Sequence, residues 1–202
     1  MSVTDGPMRL VLLLTAIGGI GLVACELLGP VRFADLAGGR DDGAAVYGIV
    51  LAVSFATAAV GSMAAPTLRR MLRGSTRGTC AALFVLGAGA LAVVAGPDVL
   101  VVVATAFALY YLAHGSVWPL LSAVLHSRVT AAHRATAVSA MSLAQALGGI
   151  AGNLGVPPLA ASLHVGAGFL VVGGVVLLGG VAALALPRAT VAVPTGAELG
   201  VV

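Results

Sequence analysis

The chain has 202 residues, of which 60% are hydrophobic and only 8% charged, with a formal net charge of +3. Soluble domains carry about 25% charged residues, so a water-soluble globule of this length would have too few charges to cover its surface, and the bilayer is the expected solvent. Every residue in the Lys+Arg total of 10 is arginine, and these are scattered between apolar runs, which excludes a basic nucleic-acid-binding domain. The wealth of Ala, Gly and Val without any Lys fits a GC-rich, bacterial coding sequence.

Charges punctuate the chain. After a short tail, 1–7, an apolar run from Leu10 to Leu28 is interrupted only by Glu26; Gly43 to Leu68, Gly78 to Gly96 and Val99 to Ser127 carry no charge. The run from Ala135 to Pro187 is about twice the ~20 residues that cross a bilayer core, so it must fold back, and Pro157-Pro158 with the following Ala161-Ser162-Leu163-His164 is the expected break. This gives an all-α integral membrane domain, 8–187, with spans at about 8–29, 43–66, 78–96, 98–125, 134–157 and 164–187, and a tail at 188–202. The runs are too long, and lack the alternation, for strands of an outer-membrane barrel.

With six spans, one side of the membrane holds Arg9, Arg69, Arg70, Arg73, Arg77, Arg128, Arg134 and Arg188. The other holds only Arg32 and Arg40, together with Asp35, Asp41, Asp42 and Asp98. The positive-inside rule then places both termini, and the loops that carry Arg69, Arg70, Arg73 and Arg134, in the cytoplasm of an inner-membrane protein.

The start, MRLVLLLTAIGGIGLVAC, reads as a plain first helix, as a lipoprotein-type signal with Cys25 the lipidated residue, or as an ordinary secretory signal. Five more apolar runs follow it. Cys25 and Cys80 fall near opposite ends of their spans, too far apart for a disulfide, and neither has a metal-ligand partner at workable spacing. No cofactor is expected.

Several spans place polar residues on one helical face. In the first, Thr15, Gly19, Leu22 and Glu26 share a stripe; in the second, Tyr47, Ser54, Thr57 and Gly61 do. In the fourth, Tyr110, His114, Trp118 and Ser122 form an i+4 ladder, and Trp118-Pro119 marks a kink. In the fifth, Met141, Gln145, Gly149 and Asn153 lie on one stripe, with Ala144, Gly148 and Gly152 beside it. Gly148 and Gly152 make a small-xxx-small pattern for close helix packing. Polar side chains inside spans face a bundle interior or a wet cavity. Tyr47, Tyr110, Trp118, Gln145 and Asn153 are thus candidates to line a substrate cavity, and Glu26 and His114 are candidates for proton coupling. The alternatives are that Gln145, Asn153 and His114 bond to neighbouring helices and that Glu26 reaches the outer headgroups.

Two stretches resemble a known family. YGIVLAVSFATAAVGSMAAPTLRRMLRGSTRG resembles a second helix running into an Arg-rich cytoplasmic loop, and WPLLSAVLHSRVTAAHRATAVSAMSLAQALGGIAGNLGVPPLA resembles a fourth helix, loop and fifth helix. Together they are similar to the C-terminal six-helix half of a major facilitator superfamily (MFS) transporter, over nearly the whole chain. The resemblance implies a half bundle of 3+3 helices related as an inverted repeat. The chain departs from the family pattern in having no acid between Gly61 and Arg69-Arg70, and it supplies one half where the family uses two.

The resemblance implies a half-size or split secondary transporter, proton-coupled, exporting a small drug-like molecule or metabolite. Its partners would be the lipid bilayer, a second six-helix half (a second copy or a separate chain) and the small-molecule substrate. The alternative is a non-transporting scaffold subunit or a truncated remnant. An enzyme is disfavoured: the spans hold no nucleophile–base pair, no paired carboxylates at one depth and no His/Cys ligand set. The arginine asymmetry predicts that a membrane-impermeant thiol reagent applied to sealed cells labels a cysteine placed at position 40 and leaves one at position 73 unlabelled; labelling at 73 contradicts the orientation.

Overall fold

The structure, a computed structural model, describes residues 5–72 and 74–187, so Arg73 and Arg188 lie outside the described residues. Six long helices make up the described residues, with no strand: α1 (Gly6–Ala37), α2 (Arg40–Met71), α3 (Thr76–Ala95), α4 (Leu100–His126), α5 (Arg134–Ser162) and α6 (Val165–Ala183). A single 3₁₀ turn, Ala131–His133, leads into α5. All six helices are long and apolar enough to cross a membrane.

The ends of the helices differ from the sequence expectation in three places. α1 continues past position 29 to Ala37, and α2 starts at Arg40, so only Gly38-Gly39 separates them. Gly38 sits at φ 77°, the left-handed conformation that lets a chain leave a helix sharply, and the Gly39 N–H closes on the Ala34 carbonyl at 3.1 Å. Next, α5 runs straight through Pro157-Pro158 and ends at Ser162. Proline's fixed φ is compatible with a helix; the pair removes two ladder bonds but need not end the rod. The break falls at the C-terminal end of the expected stretch, at Leu163-His164, where His164 Nδ1 accepts from the Ala167 N–H at 3.0 Å and starts α6. Finally, Arg32 is not a loop residue.

Arg32 is on α1 and only 9% exposed. Its Nε donates to the Val94 carbonyl at 3.0 Å and its Nη2 to the Pro97 carbonyl at 2.7 Å and the Gly96 carbonyl at 3.4 Å. Nη1 pairs with Asp98 at 2.9 Å. One guanidinium therefore caps the orphan carbonyls at the end of α3 and fixes the turn into α4. Asp98 is 85% exposed, so the carbonyl bonds, and not the ion pair, carry most of this anchoring.

The helices pack as α1 on α5, α2 on α4 and α3 on α6, with α3–α4 and α1–α6 contacts completing the bundle. Exchanging α1 with α4, α2 with α5 and α3 with α6 maps this set of contacts onto itself. Side chains obey the same exchange. A Cβ on Gly148 of α5 would strike the Ala16 carbonyl oxygen of α1, and one on Gly19 would strike the Gln145 carbonyl oxygen of α5. At the other crossing, a Cβ on Gly61 of α2 would strike the Leu112 carbonyl oxygen of α4, and one on Gly115 would strike the Ala58 carbonyl oxygen of α2. Each glycine faces the carbonyl three residues before the opposing glycine. The ion pairs follow suit: Asp5, just before α1, pairs with Arg128, just after α4, at 3.4 Å, while Asp98, just before α4, pairs with Arg32 near the end of α1.

Both crossings are backbone against backbone, so a methyl group there forces the helices apart. Gly148→Ala and Gly115→Ala should each destabilise the folded chain by ~1–3 kcal/mol. Gly155, with nothing within 4 Å of its Cβ position, is the matched control. Thermal melting of the purified chain checks this: lowered midpoints for the first two and an unchanged one for Gly155→Ala are expected.

Candidate functional site

The exchange that relates the two halves of the bundle is imperfect at one place. α1 and α2 lie together along an extended contact, whereas α4 and α5 barely touch. The first pair is joined by two residues, and Tyr47 of α2 packs its ring at 6.0 Å from Phe33 of α1 and 6.2 Å from Phe107 of α4. Helix α5 has no aromatic residue with which to make the equivalent bridge. Where α4 and α5 separate, over the face of α1, a cleft of about 680 Å³ opens.

Gly19, Leu22 and Val23 of α1 form its floor; His114 and Trp118 come from α4; Ser142, Gln145, Gly149, Ile150 and Asn153 come from α5. All lie near the middle of their helices. The two glycine contacts between α1 and α5 set its depth, because they hold the α5 backbone against α1 at the level of Gln145. Gly148 and Gly152 are buried in that contact. Gln145 and Gly149, on the neighbouring stripe, border the cleft, and Asn153 is exposed in it.

A second, much smaller cavity of about 30 Å³ adjoins the first. That is room for a water molecule. Its wall includes Thr15, Tyr110, His114, Trp118 and Gln145, so the last three residues separate the small cavity from the open cleft. The Thr15 hydroxyl is already spent on the Val11 carbonyl at 2.8 Å. Tyr110 stacks on His114 with ring centroids 6.0 Å apart, and Gly18 leaves space for the imidazole: a Cβ there would meet its Cε1 at 3.1 Å.

Of the residues singled out from the sequence, the cleft gathers His114, Trp118, Gln145 and Asn153. Tyr110 sits behind it, buried, with its hydroxyl against Gly21 and no hydrogen-bond partner among the described residues. Tyr47 is a correction: it does not border the cleft, because its ring is used to fill the α1–α2–α4 junction. Its stripe-mates also turn out to pack: Ser54 and Gly61 are buried, and the Thr57 hydroxyl reaches the Ala108 carbonyl of α4 at 2.9 Å. Glu26 is exposed, one turn along α1 beyond Leu22 and Val23, outside the cleft lining. Arg69 and Arg70 occupy the last turn of α2, and Arg134 is the first residue of α5, exposed at that same end of the bundle. Ser142, which borders the cleft, was missed; its signal was its place three residues before Gln145, one turn away on the same face.

The cleft has an unusual hydrogen-bonding state. None of the side chains of His114, Trp118, Ser142, Gln145 and Asn153 bonds to another described residue. Polar groups at this depth ordinarily pair with neighbouring helices. Here they are turned to the cleft instead.

Fold and cleft together define a six-helix bundle whose helices are long and apolar enough to span a membrane. No protein-family profile and no curated protein matches the chain. Among solved structures it is similar to a mutant of the peptide transporter POT crystallised with sulfate, with a TM-score of 0.72 at 17% identity over 92% of this chain. The match covers 39% of that transporter, so the chain spans well under half its length. At this identity the likeness is one of fold alone.

Because the Tyr110 hydroxyl is buried without a protein partner, removing it costs no protein hydrogen bond. Tyr110→Phe is expected to melt within about 0.5 kcal/mol of the parent chain, or slightly above it. A clear loss of stability in a detergent melt would mean that the hydroxyl is bonded.

Proposed function

We propose that this chain is one six-helix half of an MFS-type secondary transporter of the cytoplasmic membrane, with both termini in the cytoplasm. It exports a small drug-like molecule or metabolite against inward proton flow. It works by alternating access after pairing with a second half, either another copy or a separate sequence. The observation that carries this reading is the mid-bundle cleft of about 680 Å³, open on one side and edged by polar side chains that no helix of this bundle satisfies. A second half facing that opening would enclose a path between the two. The fold similarity supports the same reading.

Within it, His114 is the proton-coupling group, as the ionisable side chain in the cleft wall. Glu26, one turn further along α1, stands at the mouth and relays protons to and from bulk water. Trp118, Gln145 and Asn153 contact the substrate directly.

The test is proton-driven flux in vesicles, with the chain alone and with any co-encoded partner half. His114→Ala is expected to remove the pH dependence of transport, and Glu26→Gln to weaken it. If both variants keep the parent pH profile, the coupling assignment is wrong. If no substrate moves under any pairing, the transport reading gives way to that of a membrane scaffold or remnant.

A further inference from the structure

The substrate class can be read from what the cleft contains and what it omits. Its lining has imidazole, indole, hydroxyl and two carboxamides, together with the apolar surfaces of Leu22, Val23 and Ile150. It has no Asp, Glu, Lys or Arg. While His114 is neutral, a charged ligand entering it would leave its hydration shell without meeting an opposite charge, which is strongly unfavourable at bilayer depth. A cation could rest on the Trp118 ring, but that attraction is smaller than the desolvation penalty of an unpaired charge. Glu26, the nearest acid along α1, lies outside the lining.

Carboxamides both donate and accept, so Gln145 and Asn153 complement another amide, or a carbonyl beside an N–H. Their side chains are free to do so, since neither is bonded to a described residue. Trp118 and His114, one turn apart on α4, offer flat rings on the opposite wall. Resting on the transporter reading above, we infer that the cleft recognises an uncharged, ring-bearing polar molecule of the aromatic amide or lactam kind and discriminates against organic cations and anions of the same size.

Trp118 is the only tryptophan of the chain, so its fluorescence reports occupancy of the cleft directly. The full chain, held in lipid nanodiscs, is titrated with three probes of nearly identical shape: benzamide (neutral), benzamidinium (cationic) and benzoate (anionic). Benzamide should shift the emission saturably, with an affinity at least about tenfold above that of either ion. Gln145→Leu should weaken benzamide about tenfold without lowering the melting temperature, since only its backbone carbonyl takes part in the packing against Gly19.

Equal or tighter binding of benzamidinium or benzoate overturns the inference, and so does the absence of saturable binding by all three. A parallel flux measurement with radiolabelled benzamide and benzoate separates the two readings. Benzamide that binds selectively but never moves, in any pairing, refutes transport and leaves recognition standing. Benzoate carried as fast as benzamide refutes the neutral-ligand inference and leaves transport standing.

Discussion

The architecture depends on one kind of contact, used twice: a helix backbone lying directly on another helix backbone, with glycine on each side. In lipid, apolar side chains gain nothing by leaving the solvent for each other, so helices associate through close packing and interhelical polar contacts. Gly19 and Gly148 bring α1 and α5 together in this way, and Gly61 and Gly115 do the same for α2 and α4. A side chain at any of the four positions would collide with a carbonyl of the opposing backbone. The remaining helices, α3 and α6, pack on each other and against α4 and α1. The two crossings are the rigid elements around which the other contacts are arranged.

Repetition of the crossing makes the bundle an inverted repeat in its physics as well as its topology. Gly115 stands as far along the chain from Gly19 as Arg128 does from Arg32, so glycine contact and terminal ion pair keep one register between α1 and α4. The two ion pairs are not equally strong. Arg32 is buried and caps three carbonyls, whereas Arg128 is more exposed and its pair with Asp5 is longer. Anchoring is therefore tighter at the end of the bundle that carries Arg32. The other end, where Arg69, Arg70 and Arg134 cluster, is held more loosely.

Much of this was legible in the sequence, and the exceptions have specific causes. Charge spacing located every helix, because burying a charge in hydrocarbon is costly and the chain avoids it. The same rule misplaced Arg32: a charge was read as the end of a span, when it was the cap of a neighbouring one. Polar stripes at helical spacing brought out His114, Trp118, Gln145 and Asn153. They gave the wrong surroundings for Tyr47 and Tyr110, because a tyrosine is mostly hydrocarbon and can serve as packing whatever its hydroxyl does. The repeat was invisible for a different reason. The chain has 28 glycines, and nothing in one dimension separates the four at the two crossings from those, such as Gly89 and Gly174, that meet nothing.

Asymmetry within this near-symmetric frame is what creates a site. α1 and α2 are drawn together by a two-residue turn and by the ring of Tyr47, so the groove between them is filled with packing. α4 and α5 are joined by a longer connection and have no ring to span the gap, so the corresponding groove stays open. Open space alone would be an invitation to lipid tails, which an apolar lining would accept. The lining here is different: two carboxamides, a hydroxyl, an imidazole and an indole N–H face the gap with no protein partner. Lipid tails cannot satisfy those groups, and leaving them unsatisfied is destabilising. A bundle selected only for stability would replace Gln145 and Asn153 with leucine at little cost to its packing, since their side chains support no helix. The proposed hydrogen-bonding occupant accounts for their presence in the cleft, and the absence of Asp, Glu, Lys and Arg from the lining is what points the proposal to an uncharged one.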